Sequence, residues 1–233
     1  MIFHQLFEKD SSTYTYILAD EVSREGIIID PVLEMVERDL KLMEELGIRL
    51  LYTIETHVHA DHITGSGKIR TITGAKSVVG KYSGAECADI FLEHNQVLKF
   101  GSHEITALET PGHTNGCTSY LVGNRVFTGD ALLIRGCGRT DFQQGSAEKL
   151  WHSLSEVLFK LPLHTLVYPG HDYRGHTSSS IQQEIRWNPR TAKGKDGFID
   201  IMQNLKLDQP KRIHEAVPAN LECGNIKKDS EAT

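Results

Sequence analysis

Only four cysteines occur among the 233 residues, and Cys87, Cys117, Cys137 and Cys223 are widely spaced, with no Cys-x-x-Cys pair. That spacing excludes a finger-type structural zinc site. Without a secretory signal, it points to free thiols rather than a disulfide framework. Long apolar runs are also missing, and no segment reaches the length needed to span a bilayer. The N-terminus, Met1-Ile2-Phe3-His4-Gln5-Leu6-Phe7, lacks a cationic region followed by an apolar stretch, so a cytoplasmic protein made without a removable leader is expected. Basic charge is short as well: 25 Lys and Arg against 31 Asp and Glu, for a formal net charge of −6. This balance argues against nucleic acid or an anionic membrane as the main partner. A hydrophobic content of 39% with 24% charged residues supports a globular core and excludes general disorder. No internal repeat marks a solenoid.

What the sequence does have is a concentration of metal-binding side chains. His57-Val58-His59-Ala60-Asp61-His62 puts three of the chain's 12 histidines and a carboxylate within six residues. Imidazole nitrogen with carboxylate oxygen suits zinc or iron. The apolar run Leu50-Leu51-Tyr52-Thr53-Ile54 before it reads as a buried strand, which places the cluster at a strand's C-terminal end.

The same arrangement recurs downstream. Short strands are expected through Tyr14–Leu18 and Gly26–Ile29, followed by a helix from Glu34 to Leu46 that stops at Gly47. A second helix spans Thr64 to Thr73, and Ala75 to Gly80 reads as a strand. Two strand-like pieces between Val97 and Thr110 lead to Pro111-Gly112-His113-Thr114. A hairpin, Ser119–Val122 and Arg125–Thr128 about Gly123-Asn124, leads to Gly129-Asp130. Ser146 caps a helix with apolar positions Leu150, Leu154, Val157, Leu158 and Leu161. Thr165–Tyr168 is a further strand and leads to Pro169-Gly170-His171-Asp172; a helical cap from Thr177 to Leu205 follows. Four strands thus end at metal-competent side chains, which would converge on one rim of a sheet.

Thr56-His57-Val58-His59-Ala60-Asp61-His62, with His113, Asp130 and His171, resembles in order and spacing the ligand set of the metallo-β-lactamase superfamily. The resemblance implies an α+β fold, an αββα sandwich of two mixed sheets flanked by helices, as a single domain over residues 1–223; the charge and small residues of 224–233 point to a disordered polar tail. The stretch Phe127 to Gln143, with Gly136-Cys137-Gly138-Arg139-Thr140-Asp141-Phe142-Gln143, closely resembles the persulfide dioxygenases. Ala60–Gly67, Tyr168–Tyr173 and Ala216-Val217-Pro218-Ala219-Asn220 agree with that family.

That family oxidises glutathione persulfide with dioxygen to sulfite and glutathione, using one Fe(II) per chain. The resemblance implies His57, His113 and Asp130 as iron ligands in a facial triad. His59, Asp61, His62 and His171 are then left as partners of the ligands or as a vacant second metal site. Arg139, Tyr173 and Thr114 are implied as glutathione contacts; the competing reading of Arg139 is an internal salt bridge with Asp141 or a neighbour. Cys117 and Cys137 read as buried structural thiols rather than sulfur carriers, since neither has a sequence-adjacent base. The expected partners are glutathione persulfide and dioxygen, with no nucleic acid and no membrane; the family's habit of dimerising adds a homodimer with no surface assigned. Two other readings stay open: a glyoxalase II-like hydrolase of glutathione thioesters with a dinuclear site, and a non-catalytic persulfide-binding metalloprotein.

Overall fold

The computed structural model describes residues 1–225. Of the tail expected at 224–233, residues 226–233 lie outside the described residues. Two six-stranded sheets stack face to face. The first runs β1 (Ile2–Glu8), β2 (Thr13–Ala19), β3 (Glu25–Ile29), β4 (Arg49–Ile54), β5 (Lys76–Gly80) and β6 (Ile90–Leu92) in sequence order across the sheet. The second runs in reverse, from β12 (Ser179–Ser180) through β11 (Leu166–Pro169), β10 (Arg125–Gly129), β9 (Thr118–Val122) and β8 (His103–Glu109) to β7 (Val97–Phe100). Both are mixed: β3 to β6 pair in parallel beside an antiparallel β1–β3 meander, and β10–β11 is a parallel pair in an otherwise antiparallel sheet.

The strands are apolar on both faces because both faces are covered. Tyr16, Leu18, Ile27, Ile29, Ile54 and Val78 point between the sheets, against Phe100, Ile105, Tyr120, Phe127 and Tyr168. The alternate residues Ile17, Ile28 and Leu50 point outward, under α1 (Val36–Glu45) and α2 (Ser66–Thr73). On the other side Val126 and Val167 meet Leu150 of α3 (Ala147–His152), Ile181 of α4 (Ile181–Trp187), and Phe198 and Met202 of α5 (Gly194–Gln203). The layers are helix, sheet, sheet, helix, as expected.

Local differences have physical causes. Ser146 does cap α3, accepting from Lys149 N, but the expected long helix loosens into a π-turn over Ser153–Val157 and a 3-10 turn over Leu158–Lys160. There the Ser153 hydroxyl donates to Pro111 O. The edge strands β1 and β6 and the C-terminal α6 (Ile213–Leu221), with Pro218 inside it, were not expected. The free-thiol expectation holds for Cys117 and Cys137, which are buried. It fails for Cys87 and Cys223, which form a disulfide across 136 residues. Composition could not reveal that contact, since the fold alone brings the two together.

Asp20, at the end of β2, fastens the two sheets at the end of the sandwich. Its carboxylate accepts from Val22 N and Ser23 N in its own turn, and from Ser102 N and Oγ in the β7–β8 turn. The Ser102 hydroxyl, followed by the three amides, holds this carboxyl well below its usual range. A depressed carboxylate stabilises the fold above its unfolded value of 3.8 and loses that contribution as pH falls through the folded value. Asp20→Asn should therefore lower the melting temperature at pH 7 and flatten its fall below pH 4, a difference read by thermal melts across pH.

Candidate metal centre

Every candidate ligand stands just past the end of a strand. β4 leads to His57, β8 to His113, β10 to Asp130 and β11 to His171, so the four segments meet at one rim of the sandwich. His57, His113 and Asp130 bring ligand atoms to within 4.8 Å of one another, as do His59, Asp61, His62 and His171.

The backbone that aims these groups is tightly held. Gly112 takes φ +141° and lies so close to α3 that a Cβ would stand 2.3 Å from Leu150 N. Ser146 N donates to Gly112 O at 2.8 Å and Ser153 Oγ to Pro111 O at 2.7 Å, pinning the His113 turn. On the opposite side, Asp30 accepts from Thr56 N and from Thr56 Oγ1, both at 2.7 Å. Asn220 of α6 clasps the histidine-rich loop: its Nδ2 donates to His59 O and His62 O, and its Oδ1 accepts from Thr64 N.

Hydrogen bonding fixes which ring nitrogens are free. The Thr56 hydroxyl spends its one proton on Asp30, so it accepts from His57 Nδ1 at 3.0 Å. His113 Nδ1 donates to Arg139 O at 2.7 Å. Both imidazoles therefore turn an Nε2 lone pair inward, and His113 Nε2 lies 3.7 Å from Asp130 Oδ2. Burial, with His59 and His113 nearby, holds His57 well below its ordinary value and so neutral. Burial acts to raise Asp130, but His171, His113 and His57 outweigh it and hold the carboxyl ionised. A neutral His57 and an ionised Asp130 are the ionisation states a divalent cation needs. The set matches the 2-His-1-carboxylate pattern of non-haem iron sites.

Most of the remaining polar groups are engaged with one another, but among the described residues His59 Nδ1 and His62 Nε2 are buried without a hydrogen-bond partner. His171 donates Nδ1 to Asp130 Oδ1 at 2.6 Å and Nε2 to Asp61 Oδ2 at 3.0 Å. Burial opposes its charge, but the two carboxylates raise His171 well above its ordinary value. Asp61 also accepts from His62 Nδ1 at 3.0 Å. His59 Nε2 lies 3.2 Å from Asp30 Oδ1 and 3.5 Å from Glu55 Oε2; against its burial, Asp30 and then Glu55 raise it to about 10. Sequence reasoning missed the roles of Asp30, Glu55, Asn220 and Thr13, whose hydroxyl lies 3.1 Å from His171 Nε2. Asn220 lies in the Ala216–Asn220 stretch that agrees with the family but was given no role, and the others lie in no dense motif, although Asp30 follows a strand just as the candidate ligands do.

The three expected substrate contacts are placed unequally. Tyr173 is open, 72% exposed, with its ring stacked on His171 at 6.1 Å. Thr114 is buried, and its amide and hydroxyl both meet Cys117 Sγ at 3.2 Å. Arg139 holds both carboxylate oxygens of Asp141, at 2.6 and 2.7 Å, and reaches the carbonyls of Leu207 and Asp208. Cys117 and Cys137 are unreactive in this setting: burial pushes each thiol up to about 12.

This fold, with ligands gathered at the strand ends, is that of the metallo-beta-lactamase superfamily, whose family model matches residues 9–101 and 89–171. The mitochondrial persulfide dioxygenase ETHE1 of Bos taurus is 49% identical over 227 residues, covering 96% of this chain and 89% of its own. The crystal structure of ETHE1 from Myxococcus xanthus is 54% identical and superposes with a TM-score of 0.95, covering 97% of this chain and 100% of its own. A hydroxyacylglutathione hydrolase of Dictyostelium discoideum is 36% identical over 178 residues, covering 72% of this chain and 64% of its own. The chain belongs to the persulfide dioxygenase family of this superfamily. Among the described residues, no helix is long and apolar enough to cross a membrane.

Proposed function

We propose that this protein oxidises glutathione persulfide with dioxygen to sulfite and glutathione, with one ferrous ion held by His57, His113 and Asp130. The observation that carries this is the triad itself: two Nε2 lone pairs and one carboxylate converge, while in the neighbouring group of His59, Asp61, His62 and His171 the Asp61 carboxylate is already hydrogen-bonded to His171. Ferrous iron held on one face would supply open positions where the persulfide sulfur and dioxygen meet.

The chain's own residues contribute orientation and charge. The Arg139 carbonyl and the Thr56 hydroxyl fix the tautomers of His113 and His57, and His171 fixes the rotamer of Asp130. Both oxygen atoms of dioxygen end on the terminal sulfur, and water cleaves the remaining sulfur–sulfur bond to release glutathione as its thiol. In this reading His59, Asp61, His62 and His171 are the partners of the ligands, with Asp61 accepting from His62 and His171.

A glutathione carboxylate would dock by taking the place of Asp141 on the fork of Arg139, which suits bidentate binding. Arg139→Ala should then raise KM for glutathione persulfide about tenfold or more, the value of a charge-assisted hydrogen bond, with iron content unchanged. An unaltered KM would reduce Arg139 to a strap on residues 207–208.

One comparison tests the whole reading. Protein purified anaerobically should carry one iron per chain and show persulfide-dependent oxygen uptake. Rapid cleavage of lactoylglutathione without such uptake would overturn it in favour of a thioester hydrolase.

A further inference from the structure

The Cys87–Cys223 disulfide stands at the end of a short path to the metal centre. Cys223 follows α6 by two residues, and its carbonyl accepts from Gly67 N at 2.9 Å. Gly67 has no room for a side chain, because a Cβ would stand 2.6 Å from that carbonyl. One turn earlier Asn220, 5% exposed, makes its three hydrogen bonds to the loop, at 2.9 Å to His59 O, 2.8 Å to His62 O and 2.8 Å from Thr64 N. Val217 of α6 packs with Val58 of the same loop beside Val79, Ala85 and Cys87. A cavity lined by Glu55, His57, Val79, Ala85, Asn220 and Cys223 lies between the disulfide and the metal centre.

The loop passes this restraint onward. Its Asp61 accepts from His171 Nε2, and His171 Nδ1 donates to Asp130. A shift of the loop backbone thus reaches a proposed ligand through two hydrogen bonds.

We propose that Asn220 is a positioning residue for the metal centre, and that the Cys87–Cys223 disulfide is a redox-sensitive latch that holds it in place. A disulfide in a reducing compartment is characteristically transient or sensing. Opening the latch takes two electrons from two thiols. Cys87 is half-buried and Cys223 buried, so an incoming thiolate bonds to Cys87 Sγ and expels Cys223 as thiolate, which takes up a proton. A second thiol displaces Cys87 from the mixed disulfide. The products are two protein thiols and one disulfide of the reductant. α6 then keeps Asn220, the Val217 contacts, the Gly67 N to Cys223 O bond and the Arg212–Glu34 ion pair but loses its one covalent tie to Cys87, and the 59–64 loop loosens.

The latch rests on His57 and Asp130 holding the iron, not on what the iron oxidises. Its test therefore reads the metal centre as well as turnover. Thiol mapping by mass spectrometry should find Cys87 linked to Cys223 in air-equilibrated protein and free after treatment with a phosphine reductant. Reduction should speed amide exchange over residues 59–66 and weaken ferrous affinity about tenfold, the lower end of what an orienting partner contributes. Cys87→Ser should show both changes from the start and ignore the reductant. Asn220→Ala should lower iron affinity and kcat with KM unchanged. Asn220→Asp, which keeps the acceptor for Thr64 N but loses both donors, should rescue little.

Free thiols in the air-equilibrated protein overturn the latch. So does a reduced wild type whose 59–66 exchange and iron affinity match those of the oxidised form. If Asn220→Ala fails to fold, the wild-type comparison still decides. Absence of persulfide oxidation would defeat the proposed function while leaving these readouts intact.

Discussion

Asp130→Ala should yield a folded protein that retains no iron through gel filtration and consumes no oxygen with glutathione persulfide. The carboxylate is ionised against its own burial because three imidazoles surround it, His171 at 2.6 Å foremost. Removing it takes away the one anionic ligand of the proposed triad, and the charge that makes His171 a double donor. Loss of a hydrogen-bonding partner behind a ligand already costs about 10- to 100-fold in affinity, so loss of the ligand should exceed about 100-fold. The effect can be read without turnover. Ferrous iron at about 100 times its Kd stabilises the native state by about 2.7 kcal/mol. In a chain of this size that is a rise in melting temperature of about 5–10 °C. Wild type should show this rise under anaerobic conditions and Asp130→Ala should not. A normal iron-dependent rise in the variant would remove Asp130 from the ligand set. Asp130→Asn separates shape from charge: it keeps the side-chain volume and should still lose most of the rise.

The layers and the histidine-rich cluster at 57–62 were legible in the sequence because they leave periodic or dense signals, whereas the proposed triad came from the family resemblance. Strand residues such as Ile17 and Ile28 alternate with Tyr16, Leu18, Ile27 and Ile29, and both sets are buried, so the runs read as continuously apolar. The metal-competent side chains at the ends of β4, β8, β10 and β11 each follow a strand signal and a turn residue. The edge strands were harder. Most of β1 is only partly buried and β6 has three residues, so neither gives a clear pattern. Nor did the C-terminal part announce itself: Pro218 argues locally against a helix, yet Pro210 O and Arg212 O start one and Asn220 ties it to the metal loop. Thr13, Asp30 and Glu55 are ordinary residues in sequence, and only the tertiary contacts give them a role. The same holds for the Cys87–Cys223 pair, whose linkage depends on where α6 docks.

Gly138→Ala should be nearly as damaging as losing Asp130, although it adds only a methyl group. Gly138 lies against both downstream members of the triad. Its amide donates to Asp130 O at 2.7 Å, and a Cβ there would stand 2.6 Å from that oxygen and 2.8 Å from Cγ and Nδ1 of His113. None of these atoms can easily give way. The Asp130 carbonyl is part of the turn leaving β10, and the His113 ring is held by Arg139 O at 2.7 Å and by a loop packed on α3. Rotating the imidazole breaks the bond that fixes its tautomer; moving Gly138 outward drags Arg139 with it. Either way Nε2 leaves the triad, and misplacement of about 1 Å costs on the order of 100-fold in rate. Iron affinity and kcat should therefore fall together. The global melting temperature without iron should fall less than in Gly112→Ala, where the clash is with the backbone of α3 itself. Iron binding no weaker in a Gly138→Ala, His113→Ala double variant than in His113→Ala alone would show that the methyl acts through that ring. If Gly138→Ala binds iron and turns over like wild type, close packing at this glycine does not hold His113 in place.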